Sequence, residues 1–237
     1  MFVGMLFTVM VSLAVGLFSI LTFFSYKKID SQFVSRSVLA GALFWLGMAG
    51  TWFATAGIDF FQYQRELSMA ILITYILQFF VGASIVAAAY FFKEVLFTRR
   101  MRSATLVLYG IWYGVFLVSL FLYGVRPQAE SYFIGQILTS YTTLTLFTVG
   151  FFPLWIGSII LFFRSISNAL KLSEPERRFN MFMGLSLILI GAAGGVDEIG
   201  IVTGWMVTAV RLMTLIASIV AYMGMYGLRK QEDMVIV

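Results

Sequence analysis

Seven stretches free of Asp, Glu, Lys and Arg, each about as long as a bilayer is thick, decide what this chain can fold into. They run from Met1 to Tyr26, Ser37 to Ile58, Leu67 to Phe92, Ser103 to Val125, Ser131 to Phe163, Phe179 to Val196 and, interrupted once by Arg211, Ile199 to Leu228. A helix rises about 1.5 Å per residue, so roughly 20 apolar residues cross the ~30 Å of lipid tails. Lipid offers the backbone no hydrogen-bond partner, which leaves helices and closed barrels as the spanning structures. Barrel strands alternate apolar and polar residues over about ten positions. These runs are apolar on every side. The expected fold is therefore all-α, a polytopic integral membrane protein whose single seven-transmembrane-helix bundle covers 1–237. Its spans fall at about 1–26, 37–58, 67–92, 103–125, 132–163, 177–195 and 200–227.

Composition agrees, and narrows the chemistry. Hydrophobic residues make up 61% and charged residues 11%, whereas a soluble domain carries about a quarter charged. That contrast sets aside a soluble enzyme, a disordered chain and a nucleic-acid binder. The chain contains no cysteine and no histidine. His-ligated haem, Cys- or His-based metal sites, thiol chemistry and an imidazole base are thereby excluded. No cofactor and no metal are expected. Intramembrane hydrolysis would need paired aspartates, or a serine with a base at depth, and none is expected there, so the chain does not read as an enzyme.

Lys27, Lys28, Arg36, the cations from Lys93 to Arg102 and from Arg164 to Arg178, Arg229 and Lys230 fall on one side of the expected membrane. Only Arg65 and Arg126 fall on the other. The positive-inside rule makes the first side cytoplasmic, with the N-terminus outside and the C-terminus cytoplasmic, in a plasma or cytoplasmic membrane. Asp59 to Glu66, Arg126 to Glu130 and Asp197 to Glu198 read as outer loops. Trp52, Tyr63, Tyr123 and Tyr132 read as an outer aromatic belt, with Tyr26 and Tyr226 as the inner one. Ser173-Glu174-Pro175-Glu176 has the form of a capping box opening helix 6, and Gly194 and Gly195 read as its end.

Arg211 is the full charge that neither interface claims. It lies about a dozen residues from each end of its run, near the midplane, where arginine costs from roughly 2.5 to more than 10 kcal/mol. No acid is expected at that depth. Gly204, Thr208, Arg211, Leu215, Ser218 and Tyr222 share one stripe of the seventh helix. Tyr75 and Gln78 on helix 3, Trp112 on helix 4 and Ser140 on helix 5 offer polar or aromatic groups in the same half of the bundle. Two readings stand. In one, Arg211, Gln78, Tyr75, Thr208, Trp112 and Ser140 line a pocket for a small anionic or amphipathic ligand. In the other, Arg211 bonds Gln78, threonines and free carbonyls as internal glue.

In span number and orientation the chain resembles rhodopsins, G-protein-coupled receptors and the sensor regions preceding some microbial kinases. That resemblance implies a receptor-like or sensor-like protein. Retinal does not fit, because its Schiff base needs a lysine where Arg211 stands. The tail beyond Tyr226 is too short for an output module, so a sensor of this build requires a cytoplasmic or membrane partner protein. The alternatives are an accessory membrane subunit without a ligand, or a transporter built as a 3+1+3 helix repeat. The repeat has a faint echo in Gly47-Met48-Ala49-Gly50 against Gly191-Ala192-Ala193-Gly194.

Overall fold

The computed structural model describes residues 2–26, 32–96, 99–127, 137–198 and 205–235. Lys27, Lys28, Tyr132 and Gly204 lie outside the described residues. Seven helices carry the described fold: α1 (Phe2–Tyr26), α2 (Gln32–Tyr63), α3 (Leu67–Leu96), α4 (Arg99–Tyr123), α5 (Tyr141–Ile166), α6 (Glu174–Glu198) and α7 (Trp205–Val235). Six of them, α2 to α7, are long and apolar enough to cross a membrane, and α1 contributes a shorter apolar stretch, Thr8–Leu21. Between α4 and α5, strands β1 (Val125–Pro127) and β2 (Ile137–Thr139) pair antiparallel, with Arg126 opposite Leu138.

Successive helices pack side by side, and α1 packs on α7, closing a ring. Helix α3 also touches α5 directly, so α4, which rests on both, stands outside that ring. Outward faces are apolar: Leu13, Leu17, Phe53, Leu72, Phe79, Leu108, Ile111 and Phe121 are all exposed. A soluble monomer does not present so continuous an apolar surface. The interior instead collects small polar groups, among them Thr8, Ser12, Ser19, Thr74, Ser158, Ser186, Thr214 and Ser218. Many donate to a carbonyl one turn back on their own helix, as Ser12 does to Thr8 O at 2.8 Å and Ser19 to Val15 O at 2.8 Å. A hydroxyl satisfied in this way can enter an apolar bundle without an unpaired donor.

Aromatic groups join the helices in α4 and α5. Trp112 Nε1 donates to Leu146 O at 2.8 Å, Tyr109 Oη to Gly150 O at 3.1 Å, Tyr113 Oη to Phe79 O at 3.0 Å, and Trp155 Nε1 to Ile188 O at 3.1 Å. Glycine makes room for three of these rings: a Cβ on Gly82 would overlap the ring of Tyr113. A Cβ on Gly150 would overlap the indole of Trp112, and one on Gly191 that of Trp155.

The two ends of the bundle differ in charge. One carries the β1–β2 ribbon; the other carries Lys93, Arg102, Arg164, Lys171, Arg177 and Arg178. At the basic end Glu94 is buried and joins α3 to α4, with Lys93 Nζ at 3.1 Å and Arg102 Nη1 at 3.2 Å. One half of the capping box forms: Glu176 reaches back over the helix start, its Oε2 accepting from the backbone N–H of Ser173 at 3.1 Å and from the Ser173 hydroxyl at 2.8 Å. Arg178 Nε donates to Glu174 at 2.8 Å, and that bond, helped by Arg177, holds the Glu174 carboxyl below the ordinary glutamate range.

Three boundaries depart from the sequence expectation. Helix α5 starts at Tyr141 rather than near 132, because Ser140 caps it, its Oγ accepting from Thr143 N at 3.2 Å, and Thr139 is taken up by β2. A run without charge measures what lipid tolerates, not where a helix begins. Helix α6 continues through Gly194 and Gly195 to Glu198, so these glycines do not end it. The left-handed turn appears instead at Gly124, φ 68°, where the N–H bonds Leu120 O at 3.0 Å and closes α4. Third, α2 runs on past Ile58 to Tyr63, drawing Asp59 out of the expected loop and into a helix.

Candidate ligand cavity and buried ion pair

Asp59 is the acid that the sequence expectation lacked. It sits one turn before the end of α2 and is 4% exposed; Arg211, on α7, is also 4% exposed. Arg211 Nη2 donates to Asp59 Oδ2 at 3.2 Å, and Thr8 Oγ1 of α1 donates to the same oxygen at 3.2 Å. Three helices that adjoin in the ring are thus tied at one carboxylate. The depth also differs from expectation. Helix α7 begins, as described, at Trp205 and runs to Val235, which puts Arg211 about 9 Å along the axis from that start rather than at mid-span. The pair therefore lies toward the ribbon end.

Close to the pair lies a cavity of about 120 Å³. Phe44, Met48, Thr51, Trp52 and Thr55 of α2 face Leu77, Val81, Ser84, Ile85, Ala88 and Phe92 of α3 across it. Phe147, Phe151, Leu154 and Trp155 of α5, Leu187, Ile190 and Gly194 of α6, and Val210 and Thr214 of α7 complete the wall. Thr55 precedes Asp59 by one turn of α2, and Val210 and Thr214 flank Arg211 on α7, so the wall reaches up to the ion pair. No charged side chain is among these residues. The four hydroxyls are occupied as donors: Thr51 to Gly47 O at 3.1 Å, Thr55 to Thr51 O at 3.0 Å, Ser84 to Phe80 O at 2.8 Å and Thr214 to Val210 O at 3.1 Å.

Of the six residues singled out from sequence, the structure puts only Arg211 in contact with this arrangement, and there as half of an ion pair rather than as a free cation. Gln78 is buried on α3 but is not in the wall, which uses the neighbouring stripe Leu77, Val81, Ser84, Ile85 and Ala88. Tyr75 stacks on Phe121 of α4, centroids 5.7 Å apart, away from the cavity. Trp112 is held in the α4–α5 seam by its bond to Leu146, and Ser140 is a helix cap that also bonds the Thr143 hydroxyl at 2.9 Å. Thr208 is exposed. The buried stripe of α7 is Val210, Arg211, Thr214, Ala217, Ser218 and Ala221, so Thr208 stands on the outward flank with Leu212.

Sequence reasoning missed Asp59, Thr8 and Trp52. Trp52, expected in an interfacial belt, is 6% exposed and lines the cavity, while Tyr63 and Tyr123 are exposed as a belt requires. One signal was available: Thr51, Trp52, Thr55 and Asp59 recur at helical spacing, so the acid shares a face with the polar groups of α2. Among the described residues no cluster of acids offers a metal site. Comparisons with protein-family models, curated proteins and solved structures give no significant match.

Proposed function

We propose that the chain is a seven-span membrane protein of receptor-like or sensor-like type, whose bundle binds a small, mostly apolar ligand in the cavity beside Asp59 and Arg211 and which signals through a partner protein. The observation that carries this reading is the cavity itself. An apolar cavity of roughly 150 Å³ suffices to bind benzene, and the present one, about 120 Å³ and walled by five helices, is of that order. Such a space inside a bundle costs dispersion contacts unless something fills it. An occupant that repacks five helices together biases their arrangement, which is what a sensor requires.

The ligand class shifts with the geometry. Asp59 neutralises Arg211, so the pair has little net charge to attract an anion, and the remaining wall favours hydrocarbon. The concentration of cations at the α3–α4 and α5–α6 end supports an orientation with that end cytoplasmic and the N-terminus outside.

A 3+1+3 transporter is the second reading, and one observation favours it: α1 on α7 and α5 on α3 are the contacts that a two-fold repeat with α4 as linker would relate. The glycine echo does not strengthen it. Gly47 and Gly50 face Ser84 and Phe80 of α3, whereas Gly191 faces Trp155 of α5, and a repeat relates α3 to α7 rather than to α5. The test separates the two. Small aromatic probes should raise the melting temperature of the purified protein while producing no probe flux in proteoliposomes; flux that saturates with probe concentration would put transport in place of sensing.

A further inference from the structure

Helices α4 and α5 run antiparallel and meet along one stripe of each. Toward the ribbon the seam is closed: Ser119 Oγ and Thr143 Oγ1 are bonded at 3.1 Å, the Trp112 N–H donates to Leu146 O, and Tyr109 Oη donates to Gly150 O. Ser119, Trp112, Tyr109, Thr143 and Gly150 are all buried there. Continued by steps of three and four residues, the stripe of α5 passes to Pro153, Gly157, Ile160 and Arg164, and that of α4 to Thr105 and Arg102. None of these is buried: Pro153, Ile160 and Arg164 are exposed, and Gly157, Thr105 and Arg102 are half-buried. The seam is therefore open toward the basic end. Pro153 stands at the changeover, where it withholds the N–H that would bond Val149 O and favours a bend.

Helix α3, which touches both, lies behind the opening. It stays with α4 along its length, through Tyr75 on Phe121, Phe79 O bonded by Tyr113, and Glu94 on Arg102. Its Phe92 ring lies 3.7 Å from where a Cβ on Gly157 would stand. The groove is apolar along Gly157 and Ile160 and basic at its mouth, where α3, α4 and α5 each contribute a cation. Lys93 and Arg102 share the one carboxylate of Glu94, and Arg164 meets no acid among the described residues. Three cations thus stand against one acid.

We infer that this groove holds an anionic phospholipid of the leaflet at the basic end, with an acyl chain laid between α4 and α5 and the headgroup met by Arg164, beside Arg102 and Lys93. This goes beyond the cavity and rests only on the chain spanning a membrane. An acyl chain fills the slot without bringing backbone donors that need partners, and the phosphate supplies the anion that the mouth lacks. Phosphatidylcholine carries the same phosphate but adds a cation of its own, so it is the weaker occupant.

Native mass spectrometry of the full-length protein with phosphatidylglycerol or phosphatidylcholine of identical chains tests this. The wild-type protein should retain phosphatidylglycerol at a roughly fivefold lower concentration. Arg164→Gln should weaken phosphatidylglycerol by roughly fivefold and phosphatidylcholine by less than about twofold. Lys171→Asn is the comparison, because it removes the same charge from the α5–α6 connection, and asparagine accepts the left-handed backbone at that position, φ 50°. It should leave retention within about twofold. The chain is located separately. The sequence has no cysteine, so a fluorophore on Ile160→Cys is the single label, and brominated phosphatidylglycerol, as a trace in phosphatidylcholine, should quench it several-fold more than brominated phosphatidylcholine at the same level. Equal retention of both lipids by the wild type, equal losses in Arg164→Gln and Lys171→Asn, or equal quenching would overturn the inference. So would a second polypeptide retained in place of lipid, which would put a partner helix in the groove. Flotation of the reconstituted protein with liposomes checks the membrane premise by itself: a protein that floats yet fails these comparisons lacks the lipid site, whereas one that does not float lacks the premise.

Discussion

Arg211 shows how a single charge can dominate the energetics of a membrane-type bundle. Unpaired, its guanidinium would carry a large burial penalty; with Asp59 at 3.2 Å and Thr8 donating to the same carboxylate oxygen, the charges are met inside the protein. A buried pair of this kind need not stabilise more than two apolar residues would, but removing one partner strands the other. Arg211→Met and Asp59→Leu should each lower stability by about 3–5 kcal/mol. The double variant should recover most of that loss. Thermal melts of the four proteins in one detergent check this, and equal, additive losses would show that the two side chains do not act as a pair. The sequence made Arg211 conspicuous because it interrupts an apolar run. It concealed Asp59 because that acid follows the last apolar residue of its own run, the position at which a loop is ordinarily assigned.

At the scale of elements, close approach is set by where glycine meets an aromatic ring. Gly150 and Gly191 admit the indoles of Trp112 and Trp155, whereas Gly110 and Gly114 on α4 have nothing within 4 Å of where a Cβ would stand. Gly150→Leu and Gly191→Leu should therefore force α4 from α5 and α5 from α6, at a cost of about 1–3 kcal/mol or more. Gly110→Leu should stay within about 0.5 kcal/mol of the parent. Melting temperatures of the three variants test the contrast, which disappears if Gly110→Leu is as damaging as the other two. Helix existence was legible from the apolar runs, and the capping box at Ser173 fixed one boundary to the residue. Other boundaries were not legible. Apolar length is blind to a serine cap such as Ser140 and to the strand pairing of Val125 with Thr139. It is equally blind to an acid such as Asp59 whose partner, Arg211, lies 152 residues away.

For the whole molecule, the arrangement follows from successive helices packing side by side and from α1 meeting α7. Ring closure leaves a central space that the side chains of five helices do not fill, and this space could not be read from the sequence. Periodicity indicates which face of a helix is turned inward, not how much volume remains once all the inward faces meet. The account therefore turns on whether that space is occupied in the cell. Native mass spectrometry of the protein released from gentle detergent answers this most directly, with Ala88→Phe, which fills the wall between α2 and α3, as the comparison. The account predicts that the wild-type protein carries a small molecule that denaturation releases and that folded Ala88→Phe does not retain. A wild-type protein without a bound small molecule, or equal retention by both proteins, would contradict it.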